Sequence, residues 1–179
     1  MIYPTTGFQT LLESIKACPE ARRWVGERSL AAAWEDCERP DYMLWLVGCM
    51  VGQEGWPTHQ QLVLTLCAIV ETALSVFEAF CPDDTRPRVA LATARQWANG
   101  EATVEEARAS ASAAYAATNT AHAAAYAAYA AVYTAYSAAA TVYAAYAARA
   151  VTYTAYAASL SRCALAQIVR NSLSIPDSL

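Results

Sequence analysis

Between Ala109 and Ala148 the chain has no formally charged residue, no glycine, no proline, and no leucine, isoleucine or phenylalanine. Each absence excludes something. Without Gly or Pro the strongest helix breakers are missing, and the residues that remain (almost entirely Ala with Tyr, Thr, Ser and Val) are mostly compatible with one. Without large aliphatic residues the segment reads poorly as a membrane span, although it is long enough. Thr118, Asn119, Thr120, Thr134, Ser137 and Thr141 interrupt it. Its tyrosines recur on nearly every turn, whereas a span gathers them in two interfacial belts.

Reactive chemistry is equally scarce. There are two histidines, His59 and His122, and six cysteines without a C-x-x-C pair, so zinc-ligand spacing is missing. Neither a glycine-rich phosphate loop nor an H-E-x-x-H sequence occurs. No catalytic set, cofactor or metal is expected. His59 stands near a helix start and is expected on the surface; His122 falls in a row of tyrosines and is expected to pack there. Glu71 lies in an apolar helix, either as a buried base of raised pKa or as the partner of Arg88 or Arg95.

The opening residues MIYPTTGFQTLLESIKAC show no basic stretch followed by an apolar run, so they do not read as a signal peptide. The cytoplasm is the expected compartment. There the cysteines stay reduced and serve mostly as buried small apolar residues.

The chain has 179 residues, 56% of them hydrophobic, and a formal net charge of -4. The charge is uneven. Residues 1–106 carry eight basic and fifteen acidic groups, whereas the rest carries Arg108, Arg149, Arg162, Arg170 and Asp177. An acidic front half disfavours nucleic acid as a partner and suits a basic protein, though a solvated acidic surface has the same composition.

No strand pattern is present; apolar residues recur at three and four. Phe8, Leu11, Leu12 and Ile15 form a short helix ending near Pro19. Short helices follow around Trp24 and Trp34, the second capped by Ser29, and Pro40 with Asp41 opens the next. Thr58 caps HQQLVLTLCAIVETALSVFEAF, which is apolar nearly all round and reads as the central helix. RVALATARQWANG ends in the C-cap signal Asn99-Gly100, and Thr103 with Glu106 forms a capping box.

Thr103 to Ser172 then runs without Gly or Pro. As one helix it would be a rod of roughly 100 Å. A single fold-back is expected instead, with Thr118–Thr120, where side chains compete for backbone groups, as the best candidate break and Ser159–Ser161 as a second candidate.

Tyr115, His122, Tyr129, Tyr136 and Tyr143 fall at intervals of seven. After Tyr143 the row shifts to Tyr146 and Tyr153, a drift that suits a nearly straight helix packed along its length. This tyrosine ridge either packs into alanine grooves of the same bundle or meets a partner. Threonines spaced for an ice-binding stripe are limited to Thr141 and Thr152, with Ala131 where Thr120 would require a successor.

The densest acidic cluster is Glu35, Asp36, Glu38 and Asp41, the candidate partner-binding residues. Carboxylates of this kind speed the capture of a basic protein, and a helix N-terminus alone would also explain Asp41.

The runs RRWVGERSLAAAWEDCERPDYMLWLVG and DDTRPRVALATARQWANGEATVEEAR, followed by an Ala-rich tail, resemble the immunity proteins of bacterial polymorphic toxin systems from about Ala21 onward. Trp34, Cys37, Asp41, Trp45 and Arg86-Pro87-Arg88 to Trp97 carry the resemblance. It implies a small all-α cytoplasmic protein that binds a cognate toxin and neutralises it by occlusion, with no catalytic residue of its own.

The expected architecture is one all-α domain over 1–179. Short Trp-rich helices and an apolar central helix fill about 1–100, and one or two long Ala/Tyr helices fill about 103–172. Trp24, Trp34, Trp45, Trp97, Leu44, Leu64, Ile69, Val70 and Leu74 are the expected core. A homo-oligomer built through the Ala/Tyr helix is the alternative function, and an ice-binding helix a minor one.

Overall fold

The computed structural model describes residues 7–118, 122–139, 143–159 and 161–177. Among the described residues there are ten α-helices and no strand. They are α1 (Gly7–Ser14), α2 (Pro19–Val25), α3 (Leu30–Asp36), α4 (Pro40–Met50), α5 (His59–Phe80), α6 (Arg86–Ala98), α7 (Val104–Tyr115), α8 (His122–Ala139), α9 (Tyr143–Ala158) and α10 (Arg162–Ser172). A 3-10 turn, Ala116–Thr118, follows α7.

Local chemistry sets most of the boundaries. Ser29 Oγ accepts from the Ala32 amide at 3.2 Å and starts α3. Thr58 with Gln61, and Thr103 with Glu106, form reciprocal capping boxes at α5 and α7. After α6 the chain turns at Gly100, whose φ of 78° suits glycine. Lys16 takes the equivalent left-handed position after α1, its amide donating to the Glu13 carbonyl at 3.0 Å.

Helix boundaries fall at both candidate breaks in the long C-terminal run, which is more than the single fold-back expected. The 3-10 turn and the start of α8 bracket the first; Asn119 and Thr120 themselves lie outside the described residues. At the second, Ser159 has a φ of 52° and Ser161 caps α10. A third boundary, between Ala139 and Tyr143, was not expected from the residue types. It corrects the reading of the tyrosine drift as one straight helix. The row changes phase there because the chain reverses: Tyr126 meets Tyr156 while Tyr136 meets Tyr146, so α8 and α9 run antiparallel. Ala140, Thr141 and Val142 between the two helices include no Gly or Pro stop signal, and the tyrosine register changes across them.

The layers follow from these reversals. Helix α8 packs on α5, α6, α7 and α9, and α9 also lies against α4 and α5. None of the side chains from Tyr126 to Ala138 is exposed, so this stretch of α8 is enclosed on all sides. Helix α5 does run through the core, burying Leu62, Val63, Leu66, Ile69, Val70, Leu74 and Phe77. Among the described residues it is the one helix long and apolar enough to cross a membrane. It is not apolar all round, however: Gln61, Leu64, Ala68, Glu71 and Ser75 form an exposed stripe at helical spacing. Leu64, expected in the core, is therefore 36% exposed. Leu44, Ile69, Val70, Leu74 and Trp34 are buried, whereas Trp24, Trp45 and Trp97 are half-buried.

Alanine explains why α8 can be so enclosed. Ala127, Ala128, Ala130, Ala131 and Ala135 of α8 and Ala147 and Ala150 of α9 have no exposed surface. Side chains this small let helix axes approach on several sides at once. Thr134 and Thr154 are buried there and donate to the carbonyls of Ala130 and Ala150 at 2.9 Å each.

Candidate protein-binding face

The acidic cluster surrounds the turn from α3 into α4. Helix α3 is only seven residues long and ends at Asp36, after which Cys37 is buried in an extended conformation. Pro40 then fixes the first turn of α4 and places Asp41 in it, where a carboxylate favours the helix start. Arg39 grips Asp41 through two hydrogen bonds, Nε to Oδ1 at 2.9 Å and Nη2 to Oδ2 at 2.6 Å. The same guanidinium lies 4.0 Å from the centre of the Tyr42 ring.

The four candidate carboxylates are thus brought to one edge but are not equivalent. Asp41 is half-buried and neutralised by Arg39. Asp36 is exposed and 3.5 Å from Arg28, which also stacks over Trp24 at 5.1 Å. Glu35 and Glu38 are exposed and have no ion pair among the described residues. They are the two carboxylates of the cluster without a salt bridge.

A latch from the other end of the chain holds this turn. Arg170 in α10 donates through Nη1 to the Cys37 carbonyl at 2.9 Å and to the Trp34 carbonyl at 3.2 Å. Carbonyls at a helix C-terminus lack partners within the helix and favour a cation. Sequence reasoning gave Arg170 no role, and no local pattern links it to residues so distant. The Cys37 thiol lies among these groups; burial pushes its pKa up.

Beside the turn is a cavity of about 350 Å³, open to solvent on one side. Phe8, Leu12, Trp24, Trp34, Trp45 and Leu46 form its apolar walls. Lys16, Cys18, Asp41 and Tyr42 line it as well, Lys16 and Cys18 being exposed. Trp24, Trp34 and Trp45 therefore wall a hollow; Trp34 is buried, whereas Trp24 and Trp45 stay half-buried. Their recurrence near the acidic cluster was the available signal, but a wall and a core have the same composition.

The tyrosines make a second surface. Tyr133 and Tyr153 stack with centroids 5.4 Å apart, and Tyr129 and Tyr153 at 5.2 Å. Tyr126, Tyr136 and Tyr146 extend the stack along the α8–α9 seam. Arg149 sits 5.6 Å from the Tyr133 ring centre, and Tyr115 of α7 meets Tyr129 edge-on at 5.9 Å. Among the described residues of the long C-terminal run, Tyr115 and Tyr156 are the exposed rings, at 53% and 58%.

Other sequence candidates resolve without chemistry. Glu71 is exposed and paired with Arg95 at 2.8 Å, so it is not a buried base. His59 is half-buried, contrary to expectation: its Nε2 donates to the Ser137 carbonyl at 2.6 Å and its ring meets Trp97 at 4.7 Å. The His122 side chain and Thr141 lie outside the described residues. Of the cysteines only Cys37 and Cys67 are buried; Cys18 and Cys163 are exposed, and all six are free, so the expectation of mostly buried thiols fails. Their short side chains tolerate helix edges as readily as interiors. Among the described residues no three His, Cys, Asp or Glu side chains are placed to share a metal ion.

A family model described as Imm-5 like putative immunity protein matches residues 57–173. The chain belongs to this immunity-protein family. The match spans α5 to α10, which form the Ala/Tyr bundle and its supports. Helices α1 to α4, with the acidic edge and every cavity residue except Ala148, precede it. No curated protein and no solved structure matches the chain. Membership in the family implies an immunity function and, in general, the binding of a toxin partner.

Proposed function

We propose that this chain is a cytoplasmic inhibitor that neutralises a cognate bacterial toxin by occlusion, without chemistry of its own. The family match over residues 57–173 is the observation that carries this reading. The α3–α4 edge is the proposed contact, with Glu35, Asp36, Glu38 and Asp41 facing a basic partner. Arg39 holds Asp41 and Arg170 holds the turn, so the two unpaired carboxylates are presented by a braced backbone. Charges of this kind raise association rates more than they slow dissociation.

The test is co-expression with the toxin encoded beside the gene. Rescue of growth together with a stoichiometric complex supports the reading; failure of both overturns it. Replacing Glu35 and Glu38 with Gln should lower the association rate several-fold and flatten its dependence on salt. An unchanged rate would move the contact to another face.

A second reading, self-assembly through the tyrosine seam, is favoured by the exposed rings Tyr115 and Tyr156. Sedimentation should then show a mass that rises with concentration and falls back to monomer in Tyr156→Glu. An ice-active surface has less support: within α8 and α9, Thr134 and Thr154 are buried and Thr152 donates its hydroxyl to the Ala148 carbonyl at 2.8 Å.

A further inference from the structure

We infer that the cavity at the α3–α4 edge is a socket for one large apolar side chain of the toxin, carried on a segment that also bears basic residues. This rests on the toxin-binding reading above and specifies the part of the partner that this face takes.

Shape is the first argument. A cavity of about 350 Å³ is far larger than packing defects in a close-packed interior, and it opens to solvent. Its walls are apolar, so water inside finds few hydrogen-bond partners and is readily displaced by an apolar group. The pocketed aromatic or aliphatic anchor is the usual energetic centre of a protein interface.

The second argument is what the interior lacks. Small-molecule sites combine apolar walls with a few convergent polar groups that fix orientation. Here the polar lining groups are already engaged or lie at the rim. The Cys37 thiol donates to the Arg39 carbonyl at 3.5 Å, Asp41 is held by Arg39, and Lys16 and Cys18 are exposed. Tyr42 sits under the Arg39 guanidinium. An anchor side chain needs only fit, because its own backbone supplies the polar contacts at the rim.

Charge selects the occupant. Residues 27–41 contain Glu27, Glu35, Asp36, Glu38 and Asp41 against Arg28 and Arg39, so the α3–α4 side is acidic, while Lys16 is an exposed cation in the lining. A second copy of this chain would bring its own net charge of -4 to an acidic edge. A segment with Lys or Arg beside its apolar anchor meets Glu35 and Glu38 as it docks.

The experiment measures affinity for the toxin encoded beside the gene, by calorimetry, with the full-length chain. Ala21 and Ala33 both line the cavity, and Ala21 is half-buried at its edge. Ala21→Phe should fill the socket and weaken binding about 100-fold, the scale of a lost hot-spot anchor. Ala21→Ser should bind within threefold of wild type. A folded Ala21→Phe that binds like wild type overturns the socket and leaves toxin binding intact, whereas a wild type that does not bind at all overturns the functional reading first.

If the Phe variant fails to fold, maleimide labelling decides on folded protein. In the Cys163→Ser background a label on Cys18, placed by mass spectrometry, lies at the mouth and should weaken binding at least about tenfold; unchanged affinity overturns the proposal. A small molecule retained by the purified chain in native mass spectrometry, and lost in Ala33→Leu, also overturns it.

Discussion

Tyr133 and Tyr153 lie ring against ring, their planes 2° apart and their centroids 5.4 Å apart. Tyr133 also stacks on Tyr129 and Tyr146 and receives Arg149 over its face, so it is the hub of the seam. Removing it uncovers neighbouring rings as well as deleting its own contacts. Tyr133→Ala should lower unfolding free energy by about 2–3 kcal/mol, as aromatic pairing adds to lost burial. Tyr156→Ala, at the open end, should cost less than half as much. Urea denaturation of the two variants checks the ranking, and equal losses would mean the stack is not a unit.

The alanine interface makes the opposite kind of prediction. Ala150 has no exposed surface, whereas Ala145 on the same helix is exposed. Ala150→Leu forces three more carbons between close helices and should destabilise by about 1–3 kcal/mol. Ala145→Leu should stay within about 0.5 kcal/mol of wild type. Thermal melts of both variants test whether axis spacing here is set by alanine.

His59 gives the fold a pH dependence of definite sign. Burial lowers its pKa, outweighing the opposite pull of the Ser137 carbonyl. The unfolded chain therefore binds a proton more readily, near the ordinary histidine value of about 6.5. The stability that His59 contributes is complete above that value and is lost as pH falls below it, towards the lower folded pKa. Denaturation at pH 7.5 and 5.5 should show a larger loss in wild type than in His59→Gln. The same loss in both would place the dependence elsewhere.

Thiol reactivity should divide by burial. Burial pushes the Cys67 thiol up to about 12, and its Sγ lies 3.7 Å from the Leu91 carbonyl. Cys37 is also raised by burial. Thiolate is the reacting form. A disulfide reagent at pH 8 should modify Cys18 and Cys163 first, and Cys37 and Cys67 only on the timescale of unfolding. Rapid labelling of Cys67 in native protein would contradict its placement.

The helices and their ends were legible because caps are local. Ser29, Thr58 and Thr103 each carry their acceptor within four residues of the amide they satisfy. The α8–α9 turn was not, since no Gly or Pro stop signal stands between the two helices and the tyrosine register changes across it. Leu64 shows the limit of hydrophobicity: its helix is apolar enough to hide the stripe that faces solvent. At the candidate site the carboxylates could be named from the sequence, but not the cavity, which is made by α1, α2, α3, α4 and one residue of α9 meeting in space. Arg170 was invisible for the same reason.

That latch also carries a schedule. Arg170 closes the end of α3 from 133 residues downstream. At synthesis rates of about 5–20 residues per second, the α3–α4 turn is synthesised roughly 7–27 s before the side chain that satisfies its carbonyls exists. A nascent chain can assemble the tyrosine hairpin from near neighbours, but the turn bearing Glu35 and Glu38 waits for α10. Its final geometry is thus a property of translation carried through to Arg170, and the face proposed to hold a toxin matures last.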